Sequence, residues 1–345
     1  MDPQQAVVRG PLSSELISQL ARDTGFDLCG FARPEPIPAF VLGQWLEAGM
    51  SADMDWMAER AHERLDVTLL LPGARTVISL ASNYHSDAPE AAGSPIARYA
   101  RGRDYHATHK DRMRTLRRQL KERWPGILTY GGVDYVPLME KVWATRAGLG
   151  YVGRNGCLIT PRFGSYVLLA TLVLDQQVDR YASGLLEDRC GSCNLCVTAC
   201  PTGAILPGSL VDSRLCLSYQ TIENRSGPIP LALRPRMENV VFGCDLCQEI
   251  CPLNDAPLTG HLRFAPRAVA SLGVREIAAL TPQRYDLLVP GTPLARAKYD
   301  GLRRNAAYAL GAARDHGARE LLVTLSQDPS PLVSEAARWA LAQLG

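Results

Sequence analysis

The chain has 345 residues, 46% of them hydrophobic and 21% charged, with a formal charge of +2. That length allows two or three domains with substantial cores, and the composition excludes a disordered polymer. No apolar run reaches the 18 or more residues of a membrane span, and the opening MDPQQAVVRGPLSSELI has neither a signal-peptide core nor a twin-arginine pair, so a cytoplasmic protein with no membrane partner is expected.

In chain order, Ser13 or Ser14 is placed to cap a helix ending near Asp23, and Asp27–Ala32 follows as a strand. After Pro72-Gly73, TVISLASNY is a buried strand. A basic stretch comes next, with Met113, Leu116, Leu120 and Trp124 at helical spacing. From Arg98 to Arg123 there are ten Lys/Arg against three acids. Leu128–Tyr130 is a short strand, Pro137 suits the first turn of a helix, and Gly148 and Gly150 suit its end. CLITPRFGSYVLLATLVLD is expected to form a hairpin turning at Phe163-Gly164-Ser165. From about Leu185 to Pro257 the chain is rich in Cys, Gly and Pro, a module organised by metal. Beyond Arg263 it becomes helical with Ala/Leu faces, about two similar units as in helical-repeat solenoids, carrying eleven Lys/Arg against seven acids.

Eight of the ten cysteines fall between Cys190 and Cys251. Cys29 and Cys157 stand apart as small buried hydrophobes. Cys190-x2-Cys193-x2-Cys196-x3-Cys200-Pro201 is a ferredoxin run in which three thiolates face one cube and the fourth serves another. The second run, Cys244-x2-Cys247-x3-Cys251-Pro252, is one short, and Cys216 is the available substitute. Two 4Fe-4S clusters are therefore expected, one held by Cys190, Cys193, Cys196 and Cys251, the other by Cys200, Cys216, Cys244 and Cys247. Structural zinc sites also use CxxC pairs, but the full run favours clusters. Eight thiolates and two cores of about +2 each bring the loaded protein to about −2, so any grip on nucleic acid must be local.

Gly148-Leu149-Gly150-Tyr151-Val152-Gly153 matches GxGxxG, yet it follows a helix and leads into strands, the wrong setting for a dinucleotide. Its glycines are read as a helix stop with room for close backbone approach, or as an ordinary loop. Asp134 stands before a helix and is either an N-cap or a functional acid. Asp104 in RYARGRDYH is a cap or a partner for neighbouring arginines. The six histidines show no metal spacing and are read as structural or surface groups.

With these residues in view, the chain resembles the epoxyqueuosine reductases, cobalamin-dependent enzymes of tRNA queuosine synthesis, over nearly its whole length. The resemblance is carried by RYARGRDYH (98–106), GGVDYVPLMEKVWATRAGLGYVGRN (131–155), CGSCNLCVTACPTGAI, CLSYQTIENRSGPIP (216–230), FGCDLCQEICPLN (242–254) and the helical tail. Leu253, Tyr151 and Arg154 depart from the Trp, Trp and Lys common in that family.

The resemblance implies an α/β (α+β) cobalamin-binding catalytic domain over 1–182, a ferredoxin-like two-cluster module over 183–260 and a HEAT-like helical tail over 261–345 that binds tRNA. It implies reduction of epoxyqueuosine at the wobble position, the epoxide oxygen leaving as water with two electrons and two protons. Asp134 matches the family's proton donor, and a carboxyl against an apolar corrin face can have its pKa raised enough to stay protonated. Met57, Ile159, Thr160 and Ser165, with Asp134, are the expected cobalamin contacts. Arg225, Arg303 and Arg304, with the arginine-rich helix, are the expected tRNA contacts. A monomer served by an unidentified electron donor is expected. The rival readings are a corrinoid reductive dehalogenase and a non-enzymatic electron-transfer protein.

Overall fold

The computed structural model describes residues 10–86, 88, 92–225, 227–255 and 258–345. Residues 1–9, on which part of the reading of the amino terminus rests, lie outside that set.

The first part comprises α1 (Ser14–Asp23), β1 (Leu28–Ala32), α2 (Phe40–Glu47), α3 (Trp56–Glu59), α4 (Ala61–Leu65), β2 (Thr76–Asn83), α5 (Tyr105–Arg123), β3 (Thr129–Gly132), α6 (Glu140–Arg146), β4 (Tyr151–Val152), β5 (Leu158–Ile159) and β6 (Val167–Leu174). Ser13 caps α1, its hydroxyl accepting from the Leu16 N–H at 3.2 Å. Four strands form one sheet in the order β1-β2-β6-β3, every pair antiparallel. The domain is thus α+β with helices on both faces. Because strand side chains alternate, Ile78, Leu80, Leu172 and Leu174 meet α1 and α5 through Ile17, Met113, Leu116 and Leu120. Val77, Ala81 and Val173 meet Trp143, Ala144 and Leu149 around α6. Burial on both faces explains why β2 and β6 are nearly unbroken apolar runs.

The expected hairpin does not form. β6 runs between β2 and β3, while β5 pairs back onto β4, and only the Thr160↔Gly164 bridge remains at the turn. An eight-residue strand apolar on both faces buries both only inside the main sheet. The helix expected from Pro137 begins at Glu140. Gly148, at φ +74°, ends it as anticipated.

The cysteine-rich module has short elements: α7 (Leu195–Ala199), β7 (Ile205–Leu206), β8 (Leu210–Val211), α8 (Leu217–Ile222) and α9 (Leu246–Glu249). The tail is helical throughout: α10 (Val274–Ala278), α11 (Pro282–Leu288), α12 (Lys298–Ala312), α13 (Arg319–Leu325) and α14 (Pro331–Leu344). Packing does not respect a seam near residue 260, since Leu217, Ile229, Met237 and Phe242 share one core with Leu302, Ala306, Leu310 and Val333. Among the described residues no helix is long and apolar enough to cross a membrane.

Candidate active site and cluster-binding thiols

The thiols sort into two groups. Cys190, Cys193, Cys196 and Cys251 line one cavity of about 70 Å³ together with Ile159, Leu195 and Leu253. A single buried water needs about 10–15 Å³ of such space, so this cavity suits something larger than one small guest. Among the described residues no three His, Cys, Asp or Glu side chains converge as one metal ion would require. Four thiols around a shared space fit a cube in which each iron takes its own thiolate. In the second group Cys216, Cys244 and Cys247 lie within electrostatic reach of one another, Cys200 within reach of Cys216 and Cys244, and Cys157 within reach of Cys216 and Cys247. The Cys200 sulfur accepts from the Ala204 N–H at 3.3 Å. Cys29 and Cys157 are partly covered, and burial pushes their thiols up to about 12 and about 11.

The acid site is built by RYARGRDYH and the loop after β3. The Arg98 N–H donates to Asp245 Oδ2 at 2.6 Å, beside Cys244, and the Asp104 N–H donates to Gly291 O at 2.8 Å in the tail. The motif therefore touches the cluster module and the tail before it enters α5. Asp104 caps α5, accepting from the His106 N–H at 3.0 Å. On the other side, Gly131 permits β3 to lie against β6, since a Cβ there would stand 2.1 Å from Thr171 O. Asp134 follows two residues after β3.

The Asp134 carboxylate meets two donors from the first turn of α5. His106 Nε2 lies 2.7 Å from its Oδ1, and the Tyr105 hydroxyl donates to its Oδ2. His106 Nδ1 lies 2.7 Å from Asp104 Oδ1, so the imidazole bridges two carboxylates. Burial alone would raise the Asp134 carboxyl, but the hydrogen bonds and charge of His106, with the Tyr105 hydroxyl, outweigh it and hold the group below the usual carboxylate range. Burial opposes charge on His106, yet the two aspartates win and push it up to about 10. Of this pair the imidazole is raised and the carboxyl lowered, the opposite of the direction expected for a carboxyl beside an apolar corrin face. Glu140, at the start of α6, is the group burial raises, with Asp134 as a second cause, and its Oε1 is buried without a hydrogen-bond partner.

Asp134 is not an N-cap, because Met139 holds that position of α6 without a side-chain bond. His106 is the functional-site residue that sequence reasoning missed, having been read as structural or surface. Its adjacency to Asp104 and Tyr105 in one motif was the available signal. Arg296 was also missed. It is held by Glu223 of the Thr221-Ile222-Glu223 motif at 2.7 Å, lies over the Trp56 ring at 5.7 Å, and Asp134 and Tyr105 add to the stabilisation of its charge.

Other expected contacts fare differently. Met57 lies on α3, half-buried. Ile159 and Thr160 line a cavity of about 170 Å³ beside the first thiol group, below the 300 Å³ or more typical of organic ligand pockets. The Thr160 hydroxyl accepts from the Phe163 N–H and donates to Gly164 O, and the Ser165 hydroxyl is engaged by Gln248 and Asn254. The Thr160 and Ser165 hydroxyls are thus both engaged by partners within the protein. The glycine loop does what its spacing suggested, since a Cβ at Gly150 would stand 2.3 Å from Ile159 O.

Arg303 and Arg304 are corrected as tRNA contacts, both being buried inside the protein. Arg303 pairs with Asp328, and Arg304 donates to Gly227 O at 2.7 Å, Gln220 O at 3.2 Å and Asn305 Oδ1 at 2.8 Å. Arg225 is exposed. On α5, Arg112 is buried between Phe26 and Phe264 and donates to Ser82, and Arg117 donates to Thr129, which leaves Lys110, Arg114, Arg118, Lys121 and Arg123 as the outward cations.

Fold, thiol groups and acid cluster define an iron–sulfur oxidoreductase. Residues 189–254 match a 4Fe-4S double cluster binding domain, and residues 64–134 match the family described as Epoxyqueuosine reductase QueG, DUF1730. The epoxyqueuosine reductase of Gloeobacter violaceus is 38% identical over 316 residues, covering 88% of this chain and 98% of its own. That of Synechococcus sp. is 39% identical over 314 residues, covering 88% and 95%. The chain belongs to the epoxyqueuosine reductase family. Among solved structures, an epoxyqueuosine reductase with a tRNA-Tyr epoxyqueuosine-modified stem loop superposes with TM-score 0.87 at 27% identity, covering 96% of this chain and 90% of that one. A Bacillus subtilis epoxyqueuosine reductase with its catalytic loop swung out of the active site superposes with TM-score 0.86 at 27% identity, over the same shares.

Proposed function

We propose that this chain reduces epoxyqueuosine to queuosine at the wobble position of tRNA, with electrons passing through two 4Fe-4S clusters to a cobalamin. The observation that carries the reading is the half-exposed Asp134–His106 pair on a motif tied to Asp245 of the cluster module, in a chain that spans its reductase relatives almost end to end. Cys190, Cys193, Cys196 and Cys251 would hold one cluster and Cys200, Cys216, Cys244 and Cys247 the other, and bound clusters supply electrons one at a time. The cobalamin rests on the family resemblance alone.

The protein's own part is proton delivery and positioning. Opening the epoxide and expelling its oxygen needs an acid at that oxygen, and Asp134 is the carboxyl that reaches solvent there. Tyr105 and His106 fix its two oxygens, so its orientation does not depend on substrate. A wobble nucleotide in an anticodon loop is single-stranded and can enter a pocket without melting a duplex. Arg296, Arg225 and the outward cations of α5 are the local positive charge for the flanking phosphates. The reading is tested in a strain lacking this gene: epoxyqueuosine should accumulate in its tRNA and convert to queuosine on return of the wild-type chain. Normal queuosine in the deletion strain would overturn it.

A further inference from the structure

We propose that His106, clamped between Asp104 and Asp134, is the positioning and proton-storing residue that loads Asp134 in each turnover. The proposal rests on the reductase reading and deepens it.

Removing the epoxide oxygen as water breaks two C–O bonds, forms one C=C bond, and consumes two electrons from the external reductant and two protons. An acid that rests as a carboxylate has no proton to give, so one must reach it first. Among the described residues, the group holding a transferable proton against Asp134 Oδ1 is His106 Nε2, at 2.7 Å. The Tyr105 hydroxyl on Oδ2 is no substitute, because burial, reinforced by Asp134, holds its proton far above the ordinary phenol range. As negative charge builds on the substrate oxygen, the Nε2 proton moves to Asp134, whose carboxyl protonates the oxygen. His106 is left neutral, still held at Nδ1 by Asp104 at 2.7 Å, and takes a new proton from solvent across a side chain 41% exposed. The same cycle supplies the second proton.

The surroundings keep the imidazole charged between turnovers. Asp104 from the preceding loop and Asp134 from the β3 loop face the imidazole. The Tyr105 ring stacks on it at 4.2 Å. His109, one turn along α5, feels its charge but is pushed down to about 3 by burial and stays neutral. Glu140 from α6 is raised by burial, with Asp134 as a second cause. Arg296, from the tail side, has its own charge favoured by Asp134. Pairs of groups driven apart in this way mark acid–base assignments.

The test compares wild type, His106→Gln and His106→Gly on an epoxyqueuosine-bearing anticodon stem loop, with cluster absorbance recorded for each. His106→Gln keeps an N–H toward Asp134 but carries no transferable proton. It should slow the proton-dependent step by on the order of 10²-fold, with little change in KM, and erase the alkaline fall of kcat near the imidazolium pKa. Added imidazole should restore part of the rate in His106→Gly. Independently of turnover, NMR titration should find the His106 imidazolium persisting to about pH 10 and losing that persistence in Asp134→Asn. A His106→Gln enzyme with wild-type kcat and an unchanged alkaline limb would overturn the proposal, as would an imidazole resonance that titrates at the ordinary value. Absence of any activity in the cluster-loaded wild type would instead refute the reductase reading.

Discussion

Ser165 and Asn254 lock the catalytic domain to the cluster module. The Ser165 N–H donates to Asn254 Oδ1 at 2.8 Å, and Asn254 Nδ2 donates back to Ser165 Oγ at 2.9 Å and to Gln248 O at 2.7 Å. Asn254 is buried three residues after Cys251, and Gly164, at φ +56°, leaves it room: a Cβ there would stand 2.0 Å from Asn254 Oδ1. Asn254→Ala strands the buried Ser165 groups and should cost about 1–3 kcal/mol. Because the same loop carries Cys251, the variant should also lose iron from the first thiol group before the second. Iron content and thermal melting, measured under anaerobic conditions, read both effects; unchanged values for both would show that the lock is dispensable.

Anaerobically loaded wild type should carry about eight irons. Replacing Cys251 by Ser should damage the cluster of Cys190, Cys193 and Cys196, although Cys251 lies in the other run. Electron paramagnetic resonance distinguishes the two centres, and selective loss of the centre held by Cys244 and Cys247 would show that the pairing is wrong.

Arg304 should behave as a structural residue. Burial pushes its guanidinium down to about 10, and three carbonyl oxygens, from Gly227, Gln220 and the Asn305 side chain, receive its donors. Arg304→Ala is expected to lower stability by about 2–4 kcal/mol, since its buried acceptors are left unpaired. Arg225→Ala and Arg118→Ala, by contrast, should leave the melting temperature in place and reduce the salt dependence of tRNA binding by about one counterion each. Equal effects of all three variants on tRNA affinity per folded molecule would contradict this division.

Asp134→Asn should keep both clusters and lose turnover by about 10²–10⁴-fold, because an amide cannot deliver a carboxyl proton. A rate near wild type would reduce Asp134 to an anchor for α5.

The same network makes stability depend on pH in two windows. His106 has a raised folded pKa, so its contribution is complete below its unfolded value of about 6.5 and disappears as pH rises through about 10. Asp104 and Asp134 have lowered folded values, so theirs is present above about 3.9 and disappears as pH falls through the folded values. Denaturant midpoints of wild type and His106→Gln should therefore differ most near pH 6 and converge toward pH 10. A gap that widens with pH would reverse the assignment of charge.

The double-cluster region was legible because cluster ligation imposes short, fixed cysteine spacings, and the buried strands because both faces of β2 and β6 are covered. Strand pairing was not: a turn such as Phe163-Gly164-Ser165 reveals a reversal, not the partner that each flanking strand chooses. Charge runs misled for a related reason. Arg303 and Arg304 are indistinguishable in sequence from surface cations, and only the packing of α12 against α8 and α14 makes them internal. The role of His106 was hidden because its partner Asp134 lies 28 positions away and meets it only when β3 joins β6.

Reduction of the epoxide is read by incubating the purified, cluster-loaded chain anaerobically with a chemical reductant, cobalamin and an anticodon stem loop bearing epoxyqueuosine, then measuring the nucleoside by mass spectrometry. Queuosine, lighter by one oxygen atom, should form with two electrons consumed per nucleoside and in dependence on Asp134. Unchanged epoxyqueuosine in the presence of intact, reducible clusters would contradict it.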